Sequence, residues 1–210
     1  ALDMPAYSPT RSSASANSLS RPRSRVSAAA SPLRWPSRNA RIAARIPAAR
    51  FAFIPHPVAA VRAQLAAGFR AAFARHGLDF DARATLHPYQ DEGAFFARLA
   101  EADVLLDTLA WSGCNTTLEA LAMDLPVVTC PGTSMRSRHT HGMLALMGLD
   151  AILSARDEDA YVEAVVRLAT DPAHHLDVVA AIARRKHVLY DAADAVPALE
   201  AVLLAGTGRT

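Results

Sequence analysis

Along most of the chain, short runs of apolar residues alternate with longer segments whose apolar residues recur every three or four positions. The short runs have the length and continuous apolar character of buried parallel strands, and the longer segments have helical spacing. One such segment places four apolar residues on one helical face: Val61, Leu65, Phe69 and Phe73. Gly77 marks its end. Strands that alternate with helices predict an α/β fold, a parallel sheet with helices on both faces.

The pattern predicts strands at 51–54, Ala84–Leu86, Val104–Leu106 and 127–129, and it is compatible with a last short strand at 151–153. It predicts helices at 58–76, 91–100 with Asp91 as N-cap, 116–123, 134–147, 157–170, 174–189 and 192–204. The segment from Arg41 reads as the end of a helix, a turn at Pro47 and then the first strand. We therefore expect order to begin between Arg41 and Phe51, and the folded domain to span residues 41–206.

Residues 1–40 show no sustained hydrophobic period. They contain ten Ser and five Pro among many Ala and Arg residues. Such a composition buries too little apolar surface to offset the entropy lost on ordering, so we expect a disordered tail over residues 1–40. Two other interpretations stay open: a basic arm that binds nucleic acid or a membrane, and a segment of GC-rich DNA translated out of frame.

Charge is distributed unevenly along the chain. Residues 1–50 carry nine Arg and one acid, Asp3, a net +8, and residues 51–210 carry thirteen basic and nineteen acidic residues, a net −6. The chain is thus a basic tail on an acidic body. Because residues 1–40 contain no Lys, and only Tyr7 and Trp35 for stacking on bases, the composition argues against a nucleic-acid partner.

The chain lacks the sequence signals of several protein classes. Its two cysteines, Cys114 and Cys130, form no disulfide framework and suit a reducing cytoplasm, where we expect the protein to reside. No apolar run reaches the roughly 18 residues of a membrane helix, so we expect no membrane partner. The histidines show neither an HExxH-like pattern nor cysteine partners, so we predict no metal site and no cofactor.

The loop at residues 107–117, DTLAWSGCNTT, is the best candidate for a binding site, because it follows a predicted strand and leads into a predicted helix. Gly113 allows a tight turn or a close approach to a ligand, and Asn115 or Thr116 is the expected N-cap. The free amides of the helix start suit a phosphate, and Glu119 is within reach of a ribose diol. The alternative is an ordinary N-cap with a capping Glu. Neither GxGxxG nor a P-loop occurs.

The stretch DVLLDTLAWSGCNTTLEALAMDLPVVTCPGTSMRSR, residues 103–138, resembles the donor-binding half of the O-GlcNAc transferase family, including its SPINDLY-like bacterial members. The resemblance continues through MGLDAIL and DEDAYVEAVVRLATDP and spans about residues 42–186. It implies the Rossmann-like C-terminal half of a GT-B glycosyltransferase, in a family whose members often carry tetratricopeptide repeats. It also implies a UDP-sugar donor, UDP-GlcNAc, and transfer to Ser or Thr hydroxyls of an acceptor protein.

The resemblance implies roles by position. Thr116 and Thr117, with the helix-start amides, would hold the UDP diphosphate, and Glu119 would hold the ribose. Asn115 stands where many members have His and retains a donor for phosphate. Phe95 or the neighbouring Phe96 falls near the position at which the family has a His on the uracil side of the ligand. The resemblance therefore implies that an aromatic ring stacks on the uracil in place of a hydrogen bond from His.

The loop after the next predicted strand contains Pro131, Gly132 and Thr133 and would face the same cleft. Arg136 and Arg138 would then meet phosphate or the acceptor, although isolated Arg residues on a helix are more often simply solvated. His56 and His87 also follow strands, and each is either a candidate base or a polar strand end before Pro. No catalytic residue is assigned on this basis.

The chain departs from the family in two respects. The second Rossmann-like domain and the repeats have no counterpart in the sequence. The family also has a strand and loop of the QS-x-x-K type before the segment that matches Arg41, with a Lys that neutralises the departing diphosphate, whereas residues 1–40 contain no Lys. We therefore expect a truncated or degenerate transferase domain that binds a UDP-sugar and is inactive alone. The alternative is a non-catalytic interaction module that keeps only the fold.

Overall fold

A computed structural model of the protein describes residues 25–28, 35–190, 193 and 195–206, with the backbone alone for 25–28 and 195. The strands are β1 (Arg25–Ala28), β2 (Arg50–Phe53), β3 (Ala84–Leu86), β4 (Val104–Leu106) and β5 (Val127–Val128). The helices are α1 (Trp35–Arg45), α2 (Ala59–Ala74), α3 (Glu92–Ala100), α4 (Asn115–Ala122), α5 (His139–Leu146), α6 (Asp150–Leu153), α7 (Glu158–Thr170), α8 (Pro172–Arg185), α9 (His187–Tyr190) and α10 (Ala195–Gly206). A 3-10 turn lies at Met135–Ser137.

The five described strands form one parallel sheet in the order β3-β2-β1-β4-β5. In its centre, Val26 pairs with Phe51 on one side and with Val104 on the other. Helix α1 packs against α2 and α7, α7 packs against α8, and α7 also contacts β4 and β5. The predicted α/β fold with a parallel sheet is confirmed. All carboxyl ends of the strands meet at the same edge, where ligands bind in sheets of this kind.

The predicted boundary at residue 40 is wrong. The structure places β1, which lies within the predicted disordered tail, at the centre of the sheet, between β2 and β4. Helix α1 begins at Trp35, whose side chain is 2% exposed. The remainder of the predicted disordered tail, residues 1–24 and 29–34, lies outside the described residues.

Trp35 of α1 and Phe53 of β2 belong to an aromatic cluster. The ring of Trp35 lies edge-on to Phe53 and Phe69, with centroids 5.3 Å and 5.5 Å away. Phe80 stacks on Phe69 at 5.2 Å, and Phe73 lies edge-on to Phe80. Aromatic side chains bury large areas and favour these geometries, so the cluster makes α1 part of the hydrophobic core.

Three predicted elements after β5 differ in the structure. The predicted helix 134–147 is a 3-10 turn followed by α5, because Arg138 takes the non-helical angles φ −128° and ψ 3° between them. The predicted strand 151–153 is the short helix α6, and only Ser154 after it forms a bridge, to Thr129. The predicted helix 174–189 begins earlier, at Pro172 with Asp171 as its cap, and is divided at Lys186.

Candidate functional site

The loop after β4 is folded around the carboxylate of Asp107. Its Oδ1 accepts hydrogen bonds from the amides of Thr108 at 2.9 Å and Gly113 at 2.7 Å. Its Oδ2 accepts from the hydroxyls of Ser112 at 3.0 Å and Thr129 at 2.6 Å. Burial raises the pKa of the Asp107 carboxyl, and the hydrogen bonds from Thr129, Gly113 and Ser112 act against that rise. A single buried carboxylate therefore closes the loop after β4 and attaches it to the end of β5.

A second set of hydrogen bonds joins this loop to α4 and α5. Thr140, the second residue of α5, donates its amide to Ser112 Oγ at 2.9 Å. Its hydroxyl oxygen lies 2.8 Å from Ser112 Oγ, 2.8 Å from Thr117 Oγ1 and 3.2 Å from the carbonyl oxygen of Gly113. The side chains of Ser112, Thr117 and Thr140 are all buried. The amino ends of α4 and α5 are thus fixed to each other through hydroxyl groups.

Other atoms approach both glycines of the site, Gly113 and Gly132, too closely for a side chain to fit at either position. A Cβ on Gly113 would lie 2.6 Å from Thr117 Oγ1, and a Cβ on Gly132 would lie 2.6 Å from Ser137 Oγ. Both distances are shorter than real Cβ contacts. Any side chain at Gly113 would therefore push away the first turn of α4, and one at Gly132 would push away the 3-10 turn.

The amino terminus of α4 lies at the carboxyl end of β4. The predicted N-cap, Asn115 or Thr116, is wrong: the cap is Cys114, with no side-chain hydrogen bond to the helix, and the helix begins at Asn115. The Leu118 amide donates to the Cys114 carbonyl at 3.1 Å, so the amides of the three preceding residues come before the first intrahelical bond. Asn115 is exposed and Thr116 is half-buried. These amides form a positively polarised end suited to an anion.

The expectation that both Thr hydroxyls point into the cleft is wrong for Thr117. Its side chain is 0% exposed, and its hydroxyl bonds to Thr140 in the interior. Gly113 leaves the space that this inward orientation requires. Thr116, on the adjacent face of the helix, keeps part of its surface exposed.

Glu119 on α4 lies close enough to the start of α3 to sense its charge. Burial raises the pKa of the half-buried Glu119 carboxyl, and repulsion from Glu92, the first residue of α3, raises it further. Phe95 is one turn along α3 from Glu92 and half-buried, and its ring centroid is 6.0 Å from that of Phe96. The start of α3 therefore lies on the Glu119 side of α4.

The loop after β5 carries the predicted Arg residues on the other side. Arg138 donates to the Gly132 carbonyl at 3.0 Å, and the Ser112 amide donates to the Arg136 carbonyl at 2.8 Å. The exposed Arg136 guanidinium lies 5.9 Å from the ring centroid of Trp111, which is 62% exposed. Pro131 is half-buried and Thr133 is exposed in the same loop. Two cations and an indole thus lie on the loops that follow β4 and β5.

The two candidate bases lie elsewhere along the sheet edge. His56 follows β2, and its Nδ1 accepts from the Val58 amide at 3.2 Å, the geometry of a polar strand end. His87 follows β3, and burial, followed by the charge of Arg98, lowers the pKa of its imidazole. In the sheet, β2 and β3 are two and three strands away from β4, roughly 10 and 14 Å at about 4.8 Å between strands.

No helix in the described part of the chain has the length and apolar character to cross a membrane. In the same residues, no three His, Cys, Asp or Glu side chains are grouped as metal ligands would be. Cys114 and Cys130 are free thiols. The cytoplasmic location, and the expected lack of a cofactor and of a nucleic-acid partner, stay predictions.

The solved structures that resemble the chain include an O-GlcNAc transferase and a sucrose-phosphate synthase. A mutant of the Thermobaculum terrenum O-GlcNAc transferase superposes with a TM-score of 0.70 at 25% identity, over 80% of this chain and 32% of that one. The sucrose-phosphate synthase of Thermosynechococcus elongatus superposes with a TM-score of 0.59 at 18% identity, over 87% of this chain and 46% of that one, which shows a shared fold alone. The predicted Rossmann-like half of a GT-B glycosyltransferase is thereby confirmed as the fold.

Sequence relatives agree with this similarity. The chain is 41% identical over 73 residues to the SPINDLY protein of Solanum lycopersicum, and 35% identical over 92 residues to the Caenorhabditis elegans UDP-N-acetylglucosamine–peptide N-acetylglucosaminyltransferase. These matches cover 33% and 43% of this chain, but only 7% and 8% of the relatives, so the chain matches a small part of each. Residues 66–196, more than half of the chain, match the family model described as glycosyl transferase family 41. The predicted resemblance to the O-GlcNAc transferase and SPINDLY-like proteins is confirmed, and the chain belongs to glycosyl transferase family 41.

Proposed function

We propose that this domain binds the donor of a sugar transfer reaction, a UDP-sugar, at the carboxyl ends of β4 and β5. The open amino terminus of α4, held in place at that edge by Asp107, is the observation that carries the proposal. Membership of the family supports a glycosyltransferase, and the C. elegans relative is named for UDP-N-acetylglucosamine as donor and a peptide as acceptor. We extend this to UDP-GlcNAc and to a Ser or Thr hydroxyl of an acceptor protein.

The diphosphate is assigned to the amides of Asn115, Thr116 and Thr117, together with the Thr116 hydroxyl. These groups donate hydrogen bonds without carrying a side-chain charge, and the helix start adds partial positive charge. Arg136 and Arg138 supply full positive charge from the loop after β5. As the bond between the sugar and the diphosphate breaks, negative charge grows on the diphosphate, so donors fixed in advance lower the barrier to its departure.

The nucleoside is assigned to the α3 side of the same terminus. Glu119 accepts hydrogen bonds from the ribose diol, as acids do in other nucleotide-binding folds of this class. Phe95 offers a ring face against which a base stacks. The two groups lie on neighbouring helices, since Glu119 senses the charge of Glu92 at the start of α3. The phosphate and nucleoside parts of the ligand therefore use different side chains and are separable by mutation.

Thr116→Val is expected to weaken UDP binding about fivefold to tenfold and to leave uridine binding within about twofold, because one hydrogen bond to a charged phosphate is lost. Glu119→Gln is expected to weaken both ligands alike, since both contain the ribose. The parent should bind UDP with a dissociation constant on the order of 0.1–1 mM. Isothermal titration calorimetry with UDP and uridine measures all of these affinities.

Thr85→Val, an exposed Thr on edge strand β3, and Glu200→Gln, an exposed Glu on α10, are the matched controls and should bind like the parent. Parent-like affinities for both site variants would make the α4 terminus an ordinary helix end. The absence of any UDP binding by the parent would reject the proposed function itself.

As the pH is lowered, uridine binding should begin to weaken at a higher pH than it would if Glu119 had the pKa of an ordinary Glu. When ionised, Glu119 accepts from the ribose through two charged oxygens, and protonation turns one of them into a donor and removes the charge. Its pKa is raised by burial and by Glu92. The affinity is therefore present above that pKa and is lost as the pH falls through it. Glu92→Gln removes the repulsion, so the loss should move to lower pH, whereas Glu200→Gln should leave it in place. Titrations with uridine at a series of acidic pH values measure the pH at which half of the affinity is lost, and uridine has no phosphate whose ionisation would interfere. If this pH is the same in Glu92→Gln as in the parent, Glu119 is not the ribose acceptor.

A further inference from the structure

The buried hydroxyls next to Asp107 connect its carboxyl group to α4 and α5. Ser112 donates its hydroxyl proton to Asp107 Oδ2 at 3.0 Å, and it has a second acceptor in range, Thr140 Oγ1 at 2.8 Å. Ser112 Oγ in turn accepts from the Thr140 amide at 2.9 Å. The Thr140 hydroxyl donates to the Gly113 carbonyl at 3.2 Å.

The Thr140 hydroxyl also fixes that of Thr117. Because the Thr140 proton goes to the Gly113 carbonyl, Thr117 is the donor in its 2.8 Å bond to Thr140. The Thr117 proton therefore points into the protein rather than to the cleft.

We propose, on the basis of the proposed function, that Asp107 is a positioning residue for the diphosphate: with Ser112 and Thr140 it forms a buried hydrogen-bond network that holds the first turn of α4. Asp107 touches no ligand in this scheme. Its Gly113 bond fixes the loop just before the helix, and its Thr129 bond fixes the loop after β5, which carries Arg136 and Arg138. One carboxylate therefore sets the relative positions of the helix-start amides and of the two Arg side chains.

Two variants alter this network in different ways. Asp107→Asn keeps the shape, but its NH₂ group presents donors to Ser112 and Thr129, so both hydroxyls lose their acceptor and the Ser112 proton must turn to Thr140. Thr140→Val keeps the volume and removes the central hydroxyl, whereas Thr140→Ser retains it. Asp177→Asn, at an exposed position of α8, and Thr85→Val are the controls.

Titrations of the full chain with UDP and with uridine, at a temperature where circular dichroism shows every variant folded, test the proposal. We expect Asp107→Asn and Thr140→Val to lose about tenfold in UDP affinity and less than about twofold in uridine affinity, with Thr140→Ser and the controls close to the parent. A loss of UDP affinity without an equal loss of uridine affinity identifies a positioning role, because a general loss of structure weakens the binding of both ligands.

Equal losses for UDP and uridine, or unchanged UDP affinity in Thr140→Val, would overturn the proposal and leave Asp107 as a residue of the fold alone. Should Asp107→Asn not fold, the comparison of Thr140→Val with Thr140→Ser decides the matter in the same way. A parent that binds UDP no more tightly than uridine would overturn the proposed function, and the positioning role with it. A parent that prefers UDP, with variants that keep the preference, would overturn only the positioning role.

Discussion

Replacing Trp35 with alanine is expected to lower the free energy of unfolding by about 3–5 kcal/mol, the usual cost of removing a large aromatic side chain from a core. Trp35 is 2% exposed and lies edge-on to Phe53 and Phe69. Its removal leaves a cavity between α1, α2 and β2 that neighbouring rings cannot fill without leaving their own contacts. Urea unfolding followed by far-ultraviolet circular dichroism measures the change.

Trp111→Ala is the control, because Trp111 is 62% exposed and its loss should cost less than about 0.5 kcal/mol. The chain contains no other tryptophan, so each variant also isolates the fluorescence of the remaining one. We expect the emission of Trp35 to be blue-shifted relative to that of Trp111. Equal effects of the two substitutions on stability would place Trp35 outside the core, in agreement with the tail predicted for residues 1–40.

Replacing Asp107 with alanine is expected to lower the free energy of unfolding by about 4 kcal/mol, because the amide of Gly113 and the hydroxyls of Ser112 and Thr129 lose their acceptor inside the protein. Each buried donor left unpaired costs about 1–3 kcal/mol, and part of this is recovered by rearrangement or entering water. Denaturant unfolding of this variant and of Asp177→Ala, its exposed counterpart on α8, gives the comparison. A difference below about 1 kcal/mol between them would show that the loop after β4 does not depend on its carboxylate.

The elements that the sequence predicts well are those whose cause is local. Strands β3 and β4 have the predicted bounds because they are short apolar runs between turn residues, and Asp91 caps α3 as expected, accepting from the Ala94 amide at 2.8 Å. Strand β1 was not predictable in this way. Its sequence, Arg-Val-Ser-Ala, contains one strongly apolar residue, and the strand exists because β2 and β4 pair with it on both sides.

The features of the candidate site also differ in whether their cause is local in the sequence. Gly113 and the start of α4 follow from a turn residue before a helical pattern, so the sequence locates the loop. The orientation of Thr117 depends on Thr140, 23 positions away in α5, and spacing within the loop carries no information about it. Asp107 has a local signal, an acid directly after three buried residues of β4, although its partner Thr129 becomes evident only when β4 and β5 are paired.

Binding of a diphosphate by the amino terminus of α4 is observable residue by residue in ¹H–¹⁵N correlation spectra of the full chain titrated with UDP. We expect saturable shifts that are largest for the amides of Gly113, Asn115 and Thr116, and we expect uridine at the same concentrations to move these three much less. Shifts confined to other parts of the chain, with these three amides unmoved at saturating UDP, would show that the nucleotide does not bind at α4.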